Sequence, residues 1–159
     1  MLKLLGAGAL LVLSVTGAQA QSTVLNGGVA ECVQTNLATK TPIAECLNGA
    51  MSLCYSHPIG DPLGQECFVQ AKDEWGEQIK DLLASFSDRP DDFRETARIE
   101  AKYSVTRNLM SCARQLELSL IGREAVAEDE FTNAVCESRA VGVAYVELLF
   151  AAGVVERPQ

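Results

Sequence analysis

A chain of 159 residues with 21 acidic and 13 basic side chains carries a formal net charge of −8. That balance argues against nucleic acid and anionic membrane surfaces as partners and suits a basic one. The length provides for one domain, and six cysteines with a single histidine and no C-x-x-C point to disulfides and leave zinc little to bind.

Residues 1–20 read as a secretory signal peptide. Lys3 is its basic region, an apolar run covers 4–15, and Ala18-Gln19-Ala20 fits the A-x-A cleavage rule. The run is shorter than the roughly 20 residues a spanning helix needs, and no cysteine follows it to take a lipid. The expected mature protein starts near Gln21, is periplasmic or secreted, and has no membrane anchor. The signal holds one base and no acid, so the mature net charge becomes −9.

Residues 21–30 are polar and glycine-bearing and read as a loose leader; 31–152 read as a helical domain and 153–159 as a tail. A short helix is expected over 29–38. A second opens at Thr41-Pro42, threonine capping free amides and proline suiting the first turn. Its Ile43, Leu47, Ala50 and Cys54 share one face. The segment SHPIGDPLG, with two prolines and two glycines, reads as a loop.

Over 65–87, Phe68, Ala71, Trp75, Ile79, Leu82 and Phe86 form an apolar stripe, with Gly76 expected to allow close packing beside Trp75. The run SDRPDD ends that helix and opens the next with an Asp or Ser cap. The next stripe, over 91–121, is Phe93, Ala97, Ala101, Val105, Leu109, Cys112, Leu116 and Leu120, with Gly122 placed to end it. A last helix over 128–152 carries Phe131, Val135, Ser138, Val141, Tyr145 and Leu148 behind the acidic turn Glu128-Asp129-Glu130. The expected fold is all-α: a small disulfide-stapled bundle of three long helices plus one or two short N-terminal helices.

The cysteines allow many pairings. In antiparallel helix pairs a bridge centres on the connecting turn. Cys32–Cys46 centres beside Thr41-Pro42, Cys54–Cys67 straddles Gly60-Asp61, and Cys112–Cys136 centres on Glu124. That framework is the expected one, each bridge stabilising by about 3 kcal/mol.

Little points to catalysis. His57 is the one histidine available as a base, and it lies in a proline-rich loop among cysteines expected to be oxidised. Carboxylate pairs such as Asp73-Glu74 or Glu128-Glu130 read as solvated helix faces. No phosphate-binding glycine loop or metal motif occurs. The expectation is a non-enzymatic binding protein that needs no cofactor and no metal.

The order of cysteines and helices resembles the LprI-like lysozyme-inhibitor family, small exported helical proteins, in its six-cysteine bacterial variants. The front of the chain is similar in Cys46, Gly49, Cys54, Gly64, Cys67, Glu74 and Trp75. Glu100, Tyr103, Arg107 and Asn108 before Cys112 stand where the family has a Gln-x-x-Trp-x-x-x-Arg-Asp run. Cys136 followed by Glu147-Leu148 resembles its end. The resemblance implies a partner that is a lysozyme, a related muramidase or another basic cell-wall protein. The partner-binding residues expected for such a contact are Tyr55, His57 and Asp61 in the loop over 55–66, with Glu128, Asp129 and Glu130 as an acidic steering patch. The other expected role is a structural or assembly protein of the cell envelope, docking through a helix face.

Overall fold

The computed structural model describes residues 23–156; the expected signal peptide over 1–20 and the end of the expected tail, 157–159, lie outside the described residues. Among the described residues all regular structure is helical. The order is α1 (Val29–Thr39), α2 (Ala44–Ala50), a single 3₁₀ turn at Cys54–Ser56, α3 (Pro62–Ala84), α4 (Asp91–Ser119) and α5 (Ala127–Ala151).

Helix α5 is the centre. It packs along both α3 and α4 and touches α1 and α2, whereas α3 and α4 meet each other only sparsely. Its composition explains the position. Ala134, Ser138, Ala140, Gly142 and Ala144 are all buried, so neighbours can approach α5 from several sides. At Gly142 a β-carbon would stand 3.1 Å from the Leu47 side chain and 3.2 Å from the Trp75 indole. The close approach beside Trp75 is therefore made by Gly142 of the facing helix. Gly76, expected in that role, has nothing within 4 Å of where its β-carbon would be, because successive helical residues point in directions about 100° apart.

The stripes read from spacing are the buried faces. Phe68, Ala71, Trp75 and Ile79 line the inside of α3, and Phe86 continues the line past its end. Ala97, Ala101 and Cys112 do the same on α4, with Phe93, Val105 and Leu109 packed against the core. Phe86 meets Phe93 edge-on at 5.4 Å beneath the Arg89 guanidinium, which closes the turn between α3 and α4. Trp75, Phe68, Leu47 and Leu149 are fully buried, each side chain contributing roughly 1.5–3 kcal/mol.

Four local expectations change, one being that α4 opens after Pro90 with no Asp or Ser side chain capping it. Helix α3 starts at Pro62, inside the stretch read as loop, because the Asp61 carboxylate accepts the Leu63 amide at 3.1 Å and proline fits the first helical position. Thr41 does not cap α2; its hydroxyl pairs with that of Thr39 at 2.9 Å, and the helix begins at Ala44. Helix α2 also stops early, at Ala50. The Asn26 amide takes the Ala50 carbonyl at 2.8 Å and the Asn26 side chain takes that of Gly49 at 3.2 Å.

Those bonds belong to the segment expected as a loose leader, which over 23–28 is a docked strap. Val24 and Leu25 are buried, and their amides both donate to the Glu74 carboxylate at 2.9–3.1 Å. Gln70 donates to the same carboxylate at 3.0 Å.

The cysteines pair as Cys32–Cys46, Cys54–Cys67 and Cys112–Cys136, with Cα separations of 5.8, 5.4 and 5.7 Å. Each bridge spans a turn between successive helical elements. Such bridges suit an oxidising environment outside the cytosol. Among the described residues no helix is long and apolar enough to cross a membrane.

Candidate functional site

The Cys54–Cys67 bridge closes a loop whose side chains point both ways. Inside, Gly64 is buried so tightly that a β-carbon would stand 2.6 Å from Cβ of His57 and 2.8 Å from the Phe131 ring. His57 is thereby laid against α3, and its Nδ1 pairs with Asp61 Oδ2 at 2.8 Å. Asp61 thus holds the loop histidine and caps α3 at once. The hydrogen bond from His57, with that from the Leu63 amide, pulls the Asp61 pKa below its ordinary value.

Tyr55 packs edge-on against Phe68, centroids 4.9 Å apart, and Phe68 meets Phe131 of α5 in the same way at 5.6 Å. Partial burial raises the Tyr55 pKa, with Arg139 acting against it. The loop is anchored by a bridge at its base and three aromatic rings beneath it.

Outside, the same segment leaves apolar groups in solvent. Ile59 is 72% exposed, Leu63 65%, Leu53 54% and Tyr55 41%. Asp61 and Glu66 are the acidic residues of this stretch, and it contains no lysine or arginine. Glu128 adds a third carboxylate: its side chain is the nearest to Gly60, with Cδ 3.5 Å from where a β-carbon would stand.

The structure therefore brings Tyr55, His57, Asp61 and Glu128 to one end of the molecule. Asp129 is turned to another task. It is gripped by Arg123 at 2.5 and 2.6 Å and accepts the Val126 amide at 3.0 Å, closing the start of α5. These bonds, Arg123 first, lower its pKa to about 2. Glu130 is exposed. Sequence reasoning missed Leu53, Ile59 and Leu63. Ile59 and Leu63 lie in the proline-rich stretch ahead of the α3 stripe, where spacing does not separate inward from outward side chains.

A second feature lies between α4 and α5, where Tyr103, Arg107, Glu147 and Leu148 line one groove of about 500 Å³. The Glu147 carboxylate accepts a short hydrogen bond from the Ser104 hydroxyl and two bonds of 3.3 Å from Arg107. Trp75, grouped with these residues by resemblance, is a core side chain with no exposure.

Among the described residues no group of three or more histidine, cysteine, aspartate or glutamate side chains is placed to hold a metal ion. No protein-family model matches the chain, and no curated protein or solved structure matches it either.

Proposed function

We propose that the protein is an exported, non-enzymatic binding protein whose Cys54–Cys67 loop docks into a cleft of a basic partner, a lysozyme or related muramidase that it inhibits. The observation that carries this reading is the pairing of opposites in the loop. Ile59 and Leu63 stand well out in solvent while a disulfide and the Tyr55–Phe68–Phe131 rings hold the backbone beneath them. Apolar groups on a braced loop lose little entropy on docking. The surrounding carboxylates of Asp61, Glu66 and Glu128 favour a basic surface and speed the encounter. The resemblance to LprI-like inhibitors in cysteine order and helix order supports the choice of partner class.

The test is binding and cell-wall lysis with c-, g- and i-type lysozymes and the disulfide-formed protein. Submicromolar binding with dose-dependent loss of lysis is expected from at least one of them.

The second reading, an envelope assembly protein that docks through a helix face, is favoured by α4. Ile99, Tyr103 and Met110 lie on its solvent side and are 43%, 64% and 67% exposed. Salt separates the two readings. Contact through the acidic loop loses association rate as ionic strength rises, and contact through this apolar helix face does not.

A further inference from the structure

We infer that the groove between α4 and α5 is a binding site for a short neutral saccharide, on a surface separate from the Cys54–Cys67 loop. The volume, about 500 Å³, lies within the range of roughly 300–1,000 Å³ usual for small-molecule pockets. It suits a short oligosaccharide better than a single ion.

The buried floor is made of Ala101, Ala144 and Leu148, and the two alanines are too small to fill the gap between the helices. Tyr103 could cover that gap but stands at the rim, 64% exposed. An open trough beside an exposed aromatic ring offers a flat apolar surface to the C–H face of a sugar ring.

The polar groups are fixed in advance. Asn108 donates to the Ala140 carbonyl and to the Ser104 hydroxyl, both at 3.4 Å; Ser104 donates to Glu147; and Arg107 holds Glu147 from the solvent side. Ser104, only 8% exposed, anchors this chain of bonds at the groove wall. Glu147 is therefore a carboxylate held from two sides. Glu100 lines the same groove, exposed and without an ion-pair partner among the described residues. A carboxylate paired with a guanidinium, and a second carboxylate left open to solvent, are multiple hydrogen-bonding groups suited to adjacent hydroxyls.

Charge decides against an anionic ligand. In the lining, Glu100 and Glu147 face a single base, Arg107, while Lys102 stands outside it with Nζ 5.8 Å from the Tyr103 ring centre. On a protein with an excess of eight acids, this groove keeps only one uncompensated carboxylate. A ligand chosen there is chosen by ring stacking and hydrogen bonds.

The test is a two-dimensional NMR titration of the disulfide-formed protein with chitohexaose, standing for wall-type glycans, and with maltohexaose, standing for glucans. Binding by either is expected to move amide signals of residues 100–107 and 144–151, to persist at high salt, and to weaken about tenfold in Tyr103→Ala. Glu100→Ala, at an exposed position, is expected to weaken it as well, with helix content unchanged in both variants. The inference is overturned if neither saccharide moves those signals at millimolar concentration, or if both variants bind as the parent does. Hexalysine occupying the groove where no saccharide does would also overturn it.

Discussion

Asp61 holds His57 and the first turn of α3 together, accepting from His57 Nδ1 at 2.8 Å through one oxygen and from the Leu63 amide at 3.1 Å through the other. The loop and the helix it leads into are thus one unit. Asp61→Ala is expected to lower the melting temperature more than His57→Ala, because it removes the helix cap as well as the histidine contact. Equal shifts in thermal unfolding of the two variants would contradict this.

Two carboxylates give the protein a defined acid limit. Asp129, lowered to about 2, and Asp61, also lowered, bind protons less readily in the folded chain than their ordinary value of 3.8 implies. Their contributions are complete above that value and are lost as pH falls through the depressed folded values. Stability measured by urea unfolding should therefore decline between about pH 4 and pH 2. Asp129→Asn should flatten that decline while leaving a weaker protein at pH 7.

The glycines should respond in opposite directions. At Gly64 a β-carbon meets His57 and the Phe131 ring at 2.6 and 2.8 Å, so Gly64→Ala is expected to cost about 1–3 kcal/mol. Gly76 faces open space in mid-helix, and Gly76→Ala is expected to stabilise by about 0.5–1 kcal/mol. Denaturant midpoints of the two variants on either side of the parent are the expected result.

The strap over 23–28 is tied to α3 by the Glu74 carboxylate. Glu74→Ala leaves the amides of Val24 and Leu25 without their acceptor, at an expected cost of about 1–3 kcal/mol. Hydrogen exchange at those two amides should lose its protection while the amides of Phe68 to Ile79 in α3 keep theirs.

The sequence foretold the buried faces well and the loose-looking segments poorly, and the reason is physical. Phe68 to Phe86 and Phe93 to Leu116 recur at helical spacing because the same face meets α5 turn after turn. The turn-centred cysteine pairs follow from the same helices. The strap has no period, and Glu74 looks like any surface carboxylate until the chain before α1 reaches it. Helix α2 ends where Asn26 takes its last carbonyls, a contact made from 24 residues upstream of Ala50. In the candidate site, Glu128 reaches the loop of His57 and Asp61 from the start of α5, which its reading as a separate acidic patch does not foresee, and Asp129 is no free charge because Arg123 occupies it. Leu53, Ile59 and Leu63 were passed over because an apolar residue in a proline-rich loop carries no sign of whether it points in or out. Tyr103, Arg107 and Glu147 were named from resemblance, yet their meeting in a groove depends on how α4 and α5 pair, which spacing within each helix does not specify.

The most direct test of the proposed function compares the parent with the double variant Ile59→Asp, Leu63→Asp for binding to the basic lysozyme or muramidase that the parent inhibits best. Both positions are exposed, so the variant should fold with unchanged helix content and an unchanged melting temperature. The account expects affinity to fall at least a hundredfold, from the loss of two buried apolar contacts, with inhibition of lysis lost in parallel. A folded variant that binds and inhibits like the parent, or a parent that binds none of the enzymes, would contradict it.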